Sequence, residues 1–331
     1  MIVPETELQP MSRERNSSPE TDEGTTIERT SPEAVFELLA DDTRVEILRR
    51  LGETPDATVS FSDLHERVGT VDSGHFNYHL KKLQGSLVRK TDDGYELTHA
   101  GRQIIGAIHA GTYTADATVE PVSTGVECPT CETDLVAEYT DETARIYCEC
   151  GDPVEYFFPP GGLAGFDREG LPAAFYRWNY LAFQRTLAGF CPLCAGRMDG
   201  ELVLDGDAPR MTSLAGDSPA DTAHFEFECR RCGNTRRPLA TSPAMVHPAV
   251  GGFLADHGID VRTDPIWGIR ERLDDPRVEL LSEEPPRIEV QFSLDEDGIV
   301  AVIEDEGSVE RVDRTSAAGS NGTVDGRESD G

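Results

Sequence analysis

The chain has 331 residues, enough for two or three domains. Its 62 acidic residues against 30 basic ones give a formal charge of −32, and only three of the basic residues are lysines, Lys81, Lys82 and Lys90. Such a surface repels itself and nucleic acid at ordinary salt. It makes sense where molar salt shortens the screening length to about 3 Å, which points to the cytoplasm of an extreme halophile. A hydrophobic content of 37% with aromatics and cysteines at organised positions excludes an acidic disordered protein. No run approaches the ~18 apolar residues of a spanning helix, and residues 1–24 lack the apolar core of a signal peptide. In a reducing cytoplasm the eight cysteines call for a metal before a disulfide.

Residues 1–30 and 315–331 read as disordered, solvated tails. At Ser31-Pro32 a helix begins, with Val35, Phe36, Leu38 and Leu39 as its buried stripe. Asp41 or Asp42 starts a second helix, carrying Val45, Ile47, Leu48 and Leu51 and ending at Gly52. An extended piece, Thr58 to Phe61, precedes a third helix from Asp63 to Val68, capped by Ser62. Asp72 caps a fourth, Ser73 to about Gln84, with Phe76, Leu80 and Leu83 on one face. Two short strands follow, joined by Asp92-Asp93-Gly94, and then a helix from about Thr98 carrying Ile104, Ile105 and Ile108.

That order predicts a winged helix-turn-helix over 31–115, with the fourth helix positioned to enter a major groove. The stretches LLADDTRVEILRRL, FSDLHERVG, SGHFNYHLKKLQGSLVRK and DDGYELTHAGRQI resemble the arsenic-repressor-like (ArsR-type) winged-helix transcription regulators, especially their haloarchaeal branch. The resemblance covers about 80 of the 331 residues. It implies a sequence-specific regulator of transcription that binds double-stranded DNA. The metal-sensing Cys-x-Cys of that family does not carry over, since the third helix here reads FSDLHERVG.

With Phe76, Leu80 and Leu83 inward, Gly74, Asn77, Tyr78 and Lys81 face outward. Ser73 sits at the helix N-terminus, where backbone N–H groups can meet a phosphate. Asn77 suits adenine, and Tyr78 offers a ring face and a hydroxyl. Lys81, Lys82, Arg89 and Lys90 suit phosphates. Residues 72–102 hold five basic and four acidic groups, a net of +1, and escape the acidic bias of the chain. His79 reads as a packing residue beside the core.

All eight cysteines fall in close pairs: Cys128/Cys131 with Cys148/Cys150, and Cys191/Cys194 with Cys229/Cys232. Two knuckles on β hairpins close a tetrahedral thiolate cage, so the segments 124–156 and 190–240 read as two zinc ribbons with two structural Zn2+ per chain. Four thiolates leave no position for a water nucleophile, and no catalytic constellation is visible, so no enzyme is expected. The second ribbon requires a long loop, placed around DGDAPRMTSLAGDSPADT. Within the 157–189 link, a helix from Leu171 to about Ala188 bears apolar residues on two faces, Leu171, Phe175, Trp178 and Ala182 on one, Tyr176, Tyr180, Phe183 and Leu187 on the other. Both faces require cover, by core or by a second subunit, with an aromatic ligand pocket as the alternative to plain core. Residues 241–314 read as a helix, HPAVGGFLADHGI, and a small antiparallel sheet.

The expected protein is therefore α+β and multidomain: a winged helix, two four-cysteine zinc ribbons with a bridging helix, and a C-terminal sheet. Expected partners are DNA and a second copy in a homodimer, with the transcription machinery as a further contact of the ribbons. The rival is an adaptor whose ribbons and winged helix bind proteins.

Overall fold

The computed structural model describes residues 30–70, 72–128, 131–150, 153–204, 223–270, 272–274 and 276–316. Most of both expected tails and the expected ribbon loop at 205–222 lie outside them. The described chain is mixed α+β with four small sheets and forms two compact units, one up to Gly106 and one from Ala107.

In the first unit, polar caps set the helices. Ser31 accepts from Ala34 N at the start of α1 (Pro32–Leu39), and Asp41 from Arg44 N at the start of α2 (Asp42–Gly52). Helix α3 (Phe61–Val68) starts two residues earlier than expected, because Ser60 and not Ser62 accepts the Asp63 N–H. That register packs Phe61 edge-on against Phe76 at 5.2 Å. Gly69, at φ 74°, ends α3, and Asp72 caps α4 (Ser73–Leu83). Ile47, Leu48, Leu51, Leu64, Phe76, Leu80 and Leu83 form the core.

Strands β1 (Val88–Lys90) and β2 (Tyr95–Leu97) pair antiparallel, and Val59 adds a bridge to Tyr95. A Cβ on Gly94 would lie 2.3 Å from the Val59 carbonyl, so only glycine fits that turn. Helix α5 (His99–Ala110) follows, burying Ile105 and leaving Ile104 and Ile108 half-buried. The stripe expected on α1 is not buried: Phe36 is 68% exposed, and none of the helix is in the core. Val35, Leu38 and Leu39 are half-buried, so among the described residues that face is only partly covered.

The second unit holds three antiparallel meanders. Strands β3 (Val119–Glu127), β4 (Asp134–Thr140), β5 (Thr143–Tyr147) and β6 (Val154–Phe157) form the first. Helix α6 (Leu171–Leu187) leads to β7 (Met198–Val203), β8 (His224–Cys229) and β9 (Thr235–Arg236). Helices α7 (Ser242–Met245), α8 (Pro248–Asp256) and α9 (Ile266–Arg270) precede β10 (Arg277–Glu283), β11 (Pro286–Leu294), β12 (Asp297–Glu304) and β13 (Val309–Ser316). Thr315 and Ser316, expected in the tail, belong to β13 and pair with Gly298 and Asp297.

Segments that the sequence marks separately share one core here, running from Leu135 and Tyr139 through Phe175 and Phe225 to Phe292 and Ile303. Helix α6 crosses it: Phe175, Tyr176, Tyr180 and Phe183 are buried, whereas Trp178 is 43% exposed within the single chain. Among the described residues, no helix is long and apolar enough to cross a membrane.

Candidate metal centres and nucleic-acid interface

Three of the four cysteine pairs are built as one knuckle. The first cysteine's N–H donates to the carbonyl five residues on: Cys128 to Thr133 at 2.8 Å, Cys191 to Gly196 at 2.8 Å, Cys229 to Asn234 at 2.9 Å. The N–H of Glu132, Ala195 or Gly233 donates back to that cysteine's carbonyl, each at 2.9 Å. These three residues hold positive φ of 58°, 55° and 70°, a sharp turn that is free of steric cost only at the glycine. The shorter Cys148/Cys150 pair follows β5, and its Cys150 Sγ lies 3.2 Å from Cys148 Sγ and 3.6 Å from Cys128 Sγ.

Each set brings its four sulfurs within 4.8 Å of one another. Tetrahedral coordination at a zinc–sulfur distance of about 2.3 Å spaces sulfurs about 3.8 Å apart. Contacts of 3.2, 3.4 and 3.6 Å in the first set, and 3.5 and 3.8 Å in the second, are close to that spacing. All eight are free thiols, well beyond the ~2.05 Å of a disulfide. Both sets can therefore hold a metal ion, with two sulfurs of each buried in the core and Cys150 and Cys232 exposed at its edge.

The donors are electrostatically unequal. Cys131 is held at about 6, first by the Thr133 hydroxyl 3.0 Å from its sulfur and then by the Thr133 backbone. At Cys229 burial alone would raise the pKa, but the N–H groups of Cys232 and Arg231 outweigh it and bring it to about 6. Cys150 is pushed up, chiefly by hydrogen bonding with Cys148. Each set thus presents one ready thiolate, and a metal would displace the remaining protons. Thr133 was not identifiable from the cysteine spacing.

On α4, the buried Phe76, Leu80 and Leu83 turn Ser73, Gly74, Tyr78, Lys81 and Lys82 outward, with Asn77 half-buried. Tyr78 is 54% exposed, and Lys82 Nζ lies 5.7 Å above its ring. Lys81 and Lys90 have no carboxylate partner among the described residues, whereas Arg89 is bound to Glu96 at 2.6 Å across the β1–β2 pair. One of the backbone N–H groups at the α4 N-terminus is occupied: Asp72 Oδ1 accepts the Gly74 N–H at 2.8 Å. His79 is buried, its Nε2 2.9 Å from His75 Nε2 and its Nδ1 3.2 Å from Asp41 Oδ1.

Fold and sites define a mixed α+β protein with two four-cysteine clusters able to hold a metal ion in one unit and a smaller, largely helical unit ahead of them in the chain. Residues 125–309, more than half of the chain, match the family described as a domain of unknown function, DUF7351, and the chain belongs to that family. Residues 32–108 match a second domain of unknown function, DUF7347. No curated protein and no solved structure matches the chain.

Proposed function

We propose that this protein is a sequence-specific DNA-binding transcription regulator of a halophilic archaeon, with residues 31–115 as an ArsR-like winged helix and α4 reading the major groove. The observation that carries the reading is the outer face of α4. It joins Asn77, Tyr78, Lys81 and Lys82 in a stretch that escapes the acidic bias of the chain and contains every lysine, beside the hairpin that bears Lys90. Lys81, Lys82 and Lys90 make the phosphate contacts, and Asn77 and Tyr78 contact base edges. Ser73 and Gly74 let the helix approach the duplex closely, while Asp72 disfavours a phosphate at the N-terminus.

Zinc is the metal that best suits both sulfur sets: soft, tetrahedral and indifferent to redox state. Four thiolates close its coordination sphere, so the role is structural and the protein is not an enzyme. The exposed Phe36 of α1 and Trp178 of α6 support a homodimer, whose two α4 helices would meet half-sites one turn apart. The test is selection of bound fragments from the host genome at native salt. Enrichment of a palindromic motif supports the reading, and recovery of random fragments counts against it.

A second reading, an adaptor of the transcription machinery, draws on the second metal centre, where Phe190 and Leu193 are 57% and 73% exposed around the knuckle. Enrichment of no motif, together with co-purification of polymerase subunits that is lost in Leu193→Ser, would favour it.

A further inference from the structure

A cavity of about 570 Å3 lies within the second unit, between α6, β6 and β9, inside the size range of small-molecule sites. Its polar lining includes Tyr156, Asn179, Tyr180 and Arg236, and its apolar lining includes Phe183, Met245 and Phe292. Arg236 is half-buried and donates to Asn179 Oδ1. It has no carboxylate partner among the described residues. The other charged groups of the lining are satisfied elsewhere, Glu155 by Arg145 at 2.8 Å and Arg237 by Glu226 at 3.0 Å.

Two tyrosine hydroxyls of the lining have unused donors. Tyr156 is buried, and its hydroxyl makes no hydrogen bond among the described residues. The Tyr180 oxygen accepts from Gln184 at 2.7 Å, which leaves its own proton free. Tyr176, by contrast, already donates to the Val261 carbonyl at 2.7 Å. Burial lowers the pKa of Arg236, while Tyr156 and Cys191 oppose that shift. A guanidinium keeps its charge regardless, so a cation with no carboxylate partner among the described residues and two unused O–H donors line one largely apolar cavity. A buried charge of this kind is costly without a counter-ion.

We propose that the cavity binds a small organic anion, a monocarboxylate on a flat apolar body, with the carboxylate on Arg236 and Tyr156 and the apolar body against Phe183, Met245 and Phe292. This site goes beyond the DNA reading and stands whether or not α4 contacts DNA. The competing role for Arg236 is compensation of the thiolate charge at the second metal centre, since Cys191 acts on it electrostatically.

The experiment titrates the full, metal-loaded chain in molar KCl with 2-naphthoate and, separately, 2-naphthamide, by calorimetry. A charge-assisted bidentate hydrogen bond favours the acid by tenfold or more in Kd, roughly 1.5–3 kcal/mol. Arg236→Met should remove that preference and leave binding of the amide and the metal content unchanged. Tyr156→Phe, which disturbs the fold least, should weaken the acid and not the amide. Acid and amide binding alike, or neither binding the wild-type chain, overturns the proposal. So does loss of metal in Arg236→Met with no acid preference in the wild type, which assigns the arginine to charge compensation. DNA binding is not read by any of these titrations, so failure here is distinct from failure of the regulator reading.

Discussion

The Asp72 carboxylate accepts the Gly74 N–H at 2.8 Å, which puts a fixed negative charge on the N-terminus of the helix that presents Asn77, Tyr78 and Lys81. Asparagine caps a helix about as well as aspartate, so Asp72→Asn should fold normally and bind DNA more tightly. A unit charge pair 4 Å apart in water is worth about 1 kcal/mol, roughly fivefold in affinity. The gain should appear at low salt and vanish in molar KCl, where screening reaches only about 3 Å. Equal affinities of the two proteins at low salt would move this helix end away from the duplex.

His79 and His75 share an N···N contact of 2.9 Å, which cannot hold two imidazolium ions. Burial first lowers the pKa of His79, Asp41 opposes this, and His75 and Arg44 add to the lowering. A folded pKa below the unfolded value of 6.5 means that the unfolded chain takes up the proton first as pH falls. Stability is therefore full above about 6.5 and is lost progressively below it. Hydrogen exchange at α2 and α4 amides between pH 7 and 5 should show the loss, and His79→Gln should flatten it. An unchanged slope in the variant would place the titrating group elsewhere.

A Cβ at Gly101 would lie 2.2 Å from the Leu87 carbonyl, whereas a Cβ at Gly106 on the same helix would meet nothing within 4 Å. Gly101→Ala should cost about 1–3 kcal/mol through forced displacement of α5 from the hairpin. Gly106→Ala should be neutral or stabilise by up to about 1 kcal/mol. Denaturant unfolding of both variants decides it; equal effects would mean that α5 does not pack as closely on Leu87.

What was legible in the sequence is what local chemistry determines. Ser31, Asp41 and Asp72 stand where the helices start, and the cysteine spacing marks both sulfur sets. The start of α3 was not legible, because Ser60 and Ser62 are equally good caps and the aromatic contact of Phe61 with Phe76 chooses between them. Exposure of Phe36 was missed for another reason: apolar spacing marks a face without saying what covers it. The aromatic residues of α6 marked a ligand pocket as the alternative to plain core, but the polar lining was illegible because Tyr156, Asn179 and Arg236 come from three distant segments that only the packing of α6 between β6 and β9 brings together.

Elemental analysis of the reduced chain should find two zinc ions, with few of the eight thiols open to a thiol reagent until a chelator is added. Cys229→Ser should lose one ion and loosen more than its own hairpin. Leu202 N donates to Asp305 Oδ1 at 3.2 Å, and Gly307 packs against Phe225 and Phe227, so β12 and β13 should lose exchange protection with β7 and β8. Helices α2 to α4 should keep theirs. Absence of metal, or uniform loosening of both units, would contradict this.

Recognition by α4 should split by residue. Counterion release normally drives DNA binding, with log K falling by about 0.9 per phosphate contact for each tenfold rise in salt. In molar salt that drive is largely lost, and the acidic body adds repulsion when salt is low, so base-edge contacts must carry more of the affinity. Asn77→Ala and Tyr78→Ala should each cost roughly 1–3 kcal/mol on the cognate site and little on random DNA. Lys81→Ala should weaken both about equally and reduce the salt slope by about one contact. Arg89, tied to Glu96 at 2.6 Å, should matter less than Lys81 until Glu96→Gln frees it. A binding series across KCl concentrations with these variants separates the outcomes. Full affinity and unchanged sequence preference in both Asn77→Ala and Tyr78→Ala would remove α4 from the groove and bring the adaptor reading forward.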